Sequence, residues 1–299
     1  AQAANPAPTI RRFPEAGVFV TLPGVQRSWL SQNNSNEPVD DVVVYDLESA
    51  EELTTITRKG VVADVAIVDG AVLLYYIHHI ESARGQCVLV RHSLETGAEE
   101  FVTEVQATWR PSLLGHQATV LRLDDGVAYV SGTGISAVDV ASGQELWYSE
   151  NETVTGVRGA MVGLGFVGSV DPTPMFLDGA VLLRSVDGVF RSVDPRTGAE
   201  NWSADLDWSG NVAVDPTGGR VYVLHGLDGF RPPTKFRGVK ADSKGRPGIT
   251  AIDVADGSEL WHHDMRDRIV GTVYTSDSLL VFSGNDIYEV DARSGELDV

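Results

Sequence analysis

One thirteen-residue stretch occurs twice in this chain with little change. Ile135–Trp147 reads ISAVDVASGQELW and Ile249–Trp261 reads ITAIDVADGSELW, identical at nine positions. A third copy, Val189–Trp202, reads VFRSVDPRTGAENW. Each copy has an apolar alternating run, an Asp-x-x-Ser/Thr/Asp-Gly corner, then Glu and Trp. Period-two alternation is the pattern of a half-buried strand. Two such strands across a tight corner make a β-hairpin. The Asp can accept hydrogen bonds from the backbone N–H groups just ahead of it, which holds the turn. The Gly stands where the chain needs positive φ, at little cost without a Cβ. A Trp at a fixed offset buries a large flat surface against the same kind of neighbour each time.

Weaker copies extend the pattern along the chain. Corners begin at Asp46, Ser93, Asp139, Asp194, Asp253 and Asp291, spaced about 49 residues apart on average. Corner one has Ala50 where the others have Gly, and corner two has Ser93 where the others have Asp. Between corners lie short alternating runs, among them Val18–Leu22, Ala71–Ile77, Val127–Ser131, Arg220–His225 and Ser278–Ser283. They are separated by turns such as Asp69-Gly70, Asp125-Gly126 and Asp178-Gly179. Almost no helix is expected. A repeat of roughly 40–50 residues with four strands each predicts an all-β propeller. Six corners predict six four-stranded blades, with seven as the alternative. The sixth blade ends four residues past its Gly, so a strand from the first 22 residues is expected to complete it and close the ring. Residues 17–299 are read as one propeller domain. Residues 1–16, rich in Ala and Pro at the start, are read as a linker left after an export signal or membrane anchor.

The repeat resembles the tryptophan-docking motif of the pyrroloquinoline-quinone (PQQ)-like β-propellers. Ala137, Asp139, Gly143 and Trp147 match it, as do Ala251, Asp253, Gly257 and Trp261; Ser192, Asp194, Thr197, Gly198 and Trp202 match with Ser for Ala. The resemblance implies a fold and a choice of roles: calcium- and PQQ-dependent dehydrogenases, or non-catalytic scaffolds of outer-membrane assembly and sensor domains of membrane kinases. The enzymes carry a vicinal cysteine pair, and this chain has one cysteine, Cys87. They are also about twice as long, and no Glu/Asn/Asp calcium set can be matched here. A non-catalytic member without cofactor or metal is therefore expected.

Other sequence features bear on function. Asp plus Glu outnumber Lys plus Arg by 42 to 23, a net charge of −19. So acidic a surface repels phosphate backbones and speaks against nucleic-acid binding. Lysine occurs only at 59, 235, 240 and 244, and the preference for Arg fits a high-GC bacterial genome. No apolar run reaches the roughly 18 residues of a membrane span. Cys87 lies in an apolar strand and reads as a small buried hydrophobe. Gly163, Gly165 and Gly168 form a GxGxxG, with Asp187 downstream, but Pro172 and Pro174 follow where a dinucleotide site needs a helix. His78-His79 and His262-His263 are adjacent pairs, and strand neighbours face opposite ways. Two insertions lengthen the repeats, Thr153–Phe176 and Asp228–Gly248. The second carries Phe230, Arg231, Lys235, Phe236, Arg237 and Lys240 on an acidic body, the composition of a partner-contacting loop. The expected function is an extracytoplasmic, membrane-tethered scaffold that binds a protein partner in a membrane or envelope complex. A small-ligand sensor is the alternative, and a degenerate quinoprotein enzyme the third reading.

Overall fold

A computed structural model describes residues 9–22, 39–81, 84–109, 121–132, 134–150, 175–177, 179–184, 189–205, 209–215, 219–225, 247–267, 269–275, 277–284 and 286–298. These residues are all-β apart from one 3-10 turn, Pro14–Ala16. They form six four-stranded antiparallel sheets of the propeller-blade type, each built from consecutive strands.

Sheet 1 holds β1 (Thr9–Phe13), β2 (Val18–Leu22), β3 (Val39–Asp46) and β4 (Glu52–Lys59). Sheet 2 holds β5 (Val61–Val68), β6 (Ala71–Glu81), β7 (Arg84–Ser93) and β8 (Glu99–Trp109). Sheet 3 holds β9 (Leu121–Asp124), β10 (Val127–Ser131), β11 (Ile135–Asp139) and β12 (Glu145–Ser149). Sheet 4 holds β13 (Met175–Leu177), β14 (Ala180–Arg184), β15 (Val189–Val193) and β16 (Glu200–Asp205). Sheet 5 holds β17 (Ser209–Val214), β18 (Arg220–His225), β19 (Gly248–Asp253) and β20 (Glu259–Asp264). Sheet 6 holds β21 (Ile269–Tyr274), β22 (Ser278–Ser283), β23 (Asp286–Asp291) and β24 (Leu297–Asp298). Sheets 1–3 fall in one compact unit and sheets 4–6 in another.

Each of the six corners joins the third and fourth strands of its sheet, so corner count and sheet count agree. Two expectations need correction. Thr9–Phe13, inside the stretch read as linker, is the first strand of sheet 1 and pairs with β2 from Thr9↔Leu22 to Phe13↔Val18. The N-terminal strand expected to complete the last blade is therefore spent at home. Sheet 6 takes its fourth strand from its own end, Glu289↔Asp298 and Val290↔Leu297. The physical reason is local: Pro14–Ala16 and Gly17 at φ 66° fold the chain back at once, so β1 meets β2 first.

The core lies between sheets. Val20, Val42, Val44 and Ile56 of sheet 1 pack with Val72, Leu74, Tyr76, Val88 and Val90 of sheet 2. The other face of sheet 2 (Leu73, Tyr75, Ile77, Cys87, Leu89) packs with Ala128, Val130, Val138 and Val140 of sheet 3. In the second unit Leu182, Phe190 and Trp202 meet Val221 and Ile252, and Tyr222 and Ala251 meet Leu279, Val281 and Val290. Middle strands are covered on both faces, which is why Ala71–Ile77 reads as an unbroken apolar run rather than an alternating one. Cys87 is wholly buried, and burial pushes its thiol up to about 12. Tyr75 Oη lies 3.0 Å from the Ser131 carbonyl and 2.9 Å from Cys87 Sγ. The carbonyl can only accept, so the tyrosine proton goes there.

Candidate functional site

The corners behave as their residues dictate. Asp194 Oδ1 accepts from Arg196 N (3.0 Å), Thr197 N (2.7 Å) and Thr197 Oγ1 (2.8 Å). Asp139 accepts from Ser142 N and Oγ, both at 2.8 Å, and Asp253 from Ala255 N at 2.8 Å. In the fifth corner Asp256 replaces the Ser/Thr and itself accepts from Ser258 N at 2.9 Å. The fifth corner position holds positive φ in all six: Ala50 57°, Gly97 67°, Gly143 74°, Gly198 68°, Gly257 75° and Gly295 74°.

The glycines are needed for a second reason. A Cβ on Gly257 would lie 2.5 Å from the ring of Trp202, and one on Gly295 2.6 Å from Trp261. The tryptophan of one sheet thus lies flat on the corner of the next. Trp202 Nε1 donates to the Val254 carbonyl (2.7 Å) and Trp261 Nε1 to that of Ala292 (3.3 Å). Each Trp also meets an aromatic ring of its own sheet: Trp147 with Tyr129, Trp202 with Phe190, Trp261 with Tyr222. Where no Trp exists the position persists. Phe101 lies over Gly143 and Thr54 over Gly97, each eight residues past its own corner residue. Phe101 has no N–H, and Arg91 Nη1 supplies the missing donor to the Val140 carbonyl at 2.7 Å. These residues build the scaffold rather than a reactive centre.

The topology of each sheet places its connections unequally. The entry to the first strand, the link between second and third, and the exit from the fourth share one end. The first hairpin and the corner share the other end, where every connection is short: 14–17, 69–70, 125–126, 178–179, 215–219 and 275–277, plus the six corners. The four longest connections, 23–38, 110–120, 150–174 and 226–247, all leave from the entry-and-exit end of their sheets. The β6–β7 hairpin extends at that end too, with Glu81↔Arg84 as its last pair. Its strands of 11 and 10 residues compare with five or six for the middle strands of sheets 3 to 6, an excess of roughly 15 Å.

Phe230, Arg231, Lys235, Phe236, Arg237 and Lys240 lie outside the described residues, as do Gly163, Gly165, Gly168 and Asp187. The roots of the basic connection are described. His225 pairs with Gly248 and Gly248 with Asp264. Beside them the exposed His262 sits between Thr250 Oγ1 (2.8 Å from Nδ1) and Asp264 Oδ1 (3.1 Å from Nε2), while His263 is half-buried. His78 lies against Gly60, where an added Cβ would be 3.3 Å from its ring. Among the described residues no group of three His, Cys, Asp or Glu could hold a metal ion, and no helix is long and apolar enough to cross a membrane.

Residues 186–298 match the family described as outer membrane protein assembly factor BamB, a PQQ-type repeat family. Residues 186–298 belong to the PQQ-like β-propeller repeats. The match covers sheets 5 and 6 and the last two strands of sheet 4, and so takes in the fourth, fifth and sixth corners at Asp194, Asp253 and Asp291. No curated protein matches the chain. Solved structures similar to it include the computationally designed Ika8 protein (14% identity, 99% of this chain and 74% of that one, TM-score 0.48). Hsv2p of Kluyveromyces lactis is similar at 10% identity, over 99% of this chain and 78% of that one, with TM-score 0.46. BamB from Moraxella catarrhalis is similar at 15% identity, over 97% of this chain and 89% of that one, with TM-score 0.43. The family assignment rests on the repeat match and not on these superpositions.

Proposed function

We propose that this chain is a non-enzymatic scaffold that binds a protein partner outside the cytoplasm and is tethered to a membrane. The observation that carries the reading is the segregation of connections. Tight turns occupy one end of every sheet, and all four long connections leave from the other. Repeat blades cannot vary without losing their cores, whereas connections can, so recognition belongs there. The family described for residues 186–298 is named for an assembly factor, which supports a role in holding other proteins together. The connection 226–247 is the basic element of an acidic chain, and charge of that kind steers an acidic partner patch. Its Phe230 and Phe236 supply aromatic anchors of the type enriched where partners bind.

The test is a fourfold variant, Arg231→Ser, Lys235→Ser, Phe236→Ala and Arg237→Ser, compared with wild type by crosslinked affinity capture from the native cells. The expected result is an unchanged melting temperature with at least tenfold lower recovery of whichever envelope protein the wild type captures. Equal recovery by both proteins would remove the loop from the interface. A wild type that captures no protein but is stabilised by a small molecule would replace the scaffold with the ligand-sensor reading.

A further inference from the structure

The seam between sheets 1 and 2 is built unlike the other described seams. Between sheets 2 and 3, 4 and 5, and 5 and 6, an aromatic ring covers the corner glycine, and a side-chain donor reaches the carbonyl one residue past the corner's first position. Between sheets 1 and 2 the residue over Gly97 is Thr54, which has neither a ring face nor an N–H. Charges take over. At the first strands, Arg11 Nη1 of β1 pairs with Asp64 Oδ1 of β5 at 2.5 Å, and Asp64 is 4% exposed. At the fourth strands, Arg58 Nη1 of β4 pairs with Glu99 of β8. The Arg58 guanidinium also stands 5.9 Å from the Tyr76 ring centre.

His92 of β7 sits within the second of these groups and is 7% exposed. Its Nδ1 is 3.2 Å from the Gly97 carbonyl, which can only accept, so Nδ1 carries the proton. Its Nε2 is buried with no hydrogen-bond partner. The charged groups facing the ring are Arg58 from β4 and Glu99 and Glu100 from β8. On its own strand, neighbouring Arg91 is held by Glu100 at 2.6 Å. A second proton at Nε2 would be a buried N–H without an acceptor, carrying positive charge beside Arg58.

We propose that the joint between sheets 1 and 2 is an acid-sensitive seam, at which proton uptake by His92 releases sheet 1 while the other described seams stay closed. Burial, the largest influence, holds His92 below its ordinary 6.5, and Arg58 acts in the same direction; the Gly97 bond and the two glutamates oppose them less strongly. The opened, hydrated imidazole binds its proton more tightly than the closed one. The contribution of His92 to closure is therefore full above pH 6.5 and is lost as the pH falls from there through the lowered folded value. Within that window the opening constant rises by up to about tenfold per pH unit, for one proton taken up. Once Val42, Val44 and Ile56 lose the face of β6, the described core of sheet 1 is broken and its amides exchange by local unfolding.

Hydrogen exchange of the full chain at pH 7.5 and pH 5.0, corrected for the intrinsic pH dependence of exchange, tests this. Amides of β3 and β4 are expected to lose protection at pH 5.0, by up to about tenfold for each pH unit below 6.5 within the window, while those of β10, β11, β18 and β19 keep theirs. His92→Asn keeps a side-chain N–H for the Gly97 carbonyl and cannot titrate, so its β3 and β4 protection should not change with pH. Equal wild-type protection at both pH values, a loss spread evenly over the six sheets, or an undiminished loss in His92→Asn would overturn the proposal. Should His92→Asn fail to fold, the wild-type profile decides by itself, because only a loss confined to sheet 1 agrees with the seam.

Discussion

Ala50 holds φ at 57°, in the same corner position where five glycines hold 67° to 75°. An L-residue there meets its own carbonyl, at a cost of about 1–2 kcal/mol. Glycine relieves that strain but brings more freedom to the unfolded chain, a loss of about 0.5–1 kcal/mol. Ala50→Gly should therefore stabilise the protein by about 1 kcal/mol, read as a higher urea midpoint with unchanged slope. A lower midpoint would show that the corner tolerates its Cβ. The need for this conformation was legible in the sequence, because Asp-x-x-Ser-Gly is a closed local device whose parts lie within five residues. The environment of His92 was not. Its neighbours Arg58 and Glu99 come from other strands, and nothing in the run Leu89–Ser93 distinguishes a buried ring from an exposed one.

At the scale of the element, three of the described seams (sheets 2 and 3, 4 and 5, 5 and 6) combine a surface that covers the corner glycine with a donor for the carbonyl beside it. Tryptophan supplies both at Trp202 and Trp261. At the joint of sheets 2 and 3 the two tasks are divided between Phe101 and Arg91, whose side chain is only 13% exposed and is steadied by Glu100. Arg91→Met should cost about 1.5–3 kcal/mol, the range for a hydrogen bond from a charged group. Adding Phe101→Trp should recover about half of it, since the new indole N–H can reach the Val140 carbonyl. Urea unfolding of the single and double variants is the measurement, and a double variant no more stable than Arg91→Met would refute the shared role. The sequence marked two of these docking positions by their tryptophans, Trp202 and Trp261. It left Thr54 and Phe101 unmarked, because the eight-residue offset from the corner sets the position and the residue type does not.

Across the whole molecule the corner carboxylates act together against acid. Asp46 is held below the usual carboxylate value chiefly by the Ser49 N–H, Asp194 by the Thr197 hydroxyl, and Asp291 by the Ser294 N–H. A lowered folded value means that the stabilisation is present above the ordinary 3.8 and is lost as the pH falls through the folded values. Stability should drop steeply below about pH 4, whereas the His92 loss sets in as the pH falls below 6.5. The triple variant Asp46→Asn, Asp194→Asn, Asp291→Asn should be less stable at pH 6 and show a flatter decline from pH 5 to pH 2.5. Equal slopes in urea titrations of the two proteins would place the acid sensitivity elsewhere. The sequence by itself determined the all-β class, the six corners and the family of the repeat, because turn chemistry and strand alternation are written in neighbouring residues. Tertiary structure alone decided that Thr9–Phe13 joins sheet 1 and that sheet 6 ends on its own Leu297–Asp298. It also decided that one seam is held by ion pairs around a buried histidine. Those outcomes depend on which strands meet, and side chains from distant segments settle that only when the sheets pack.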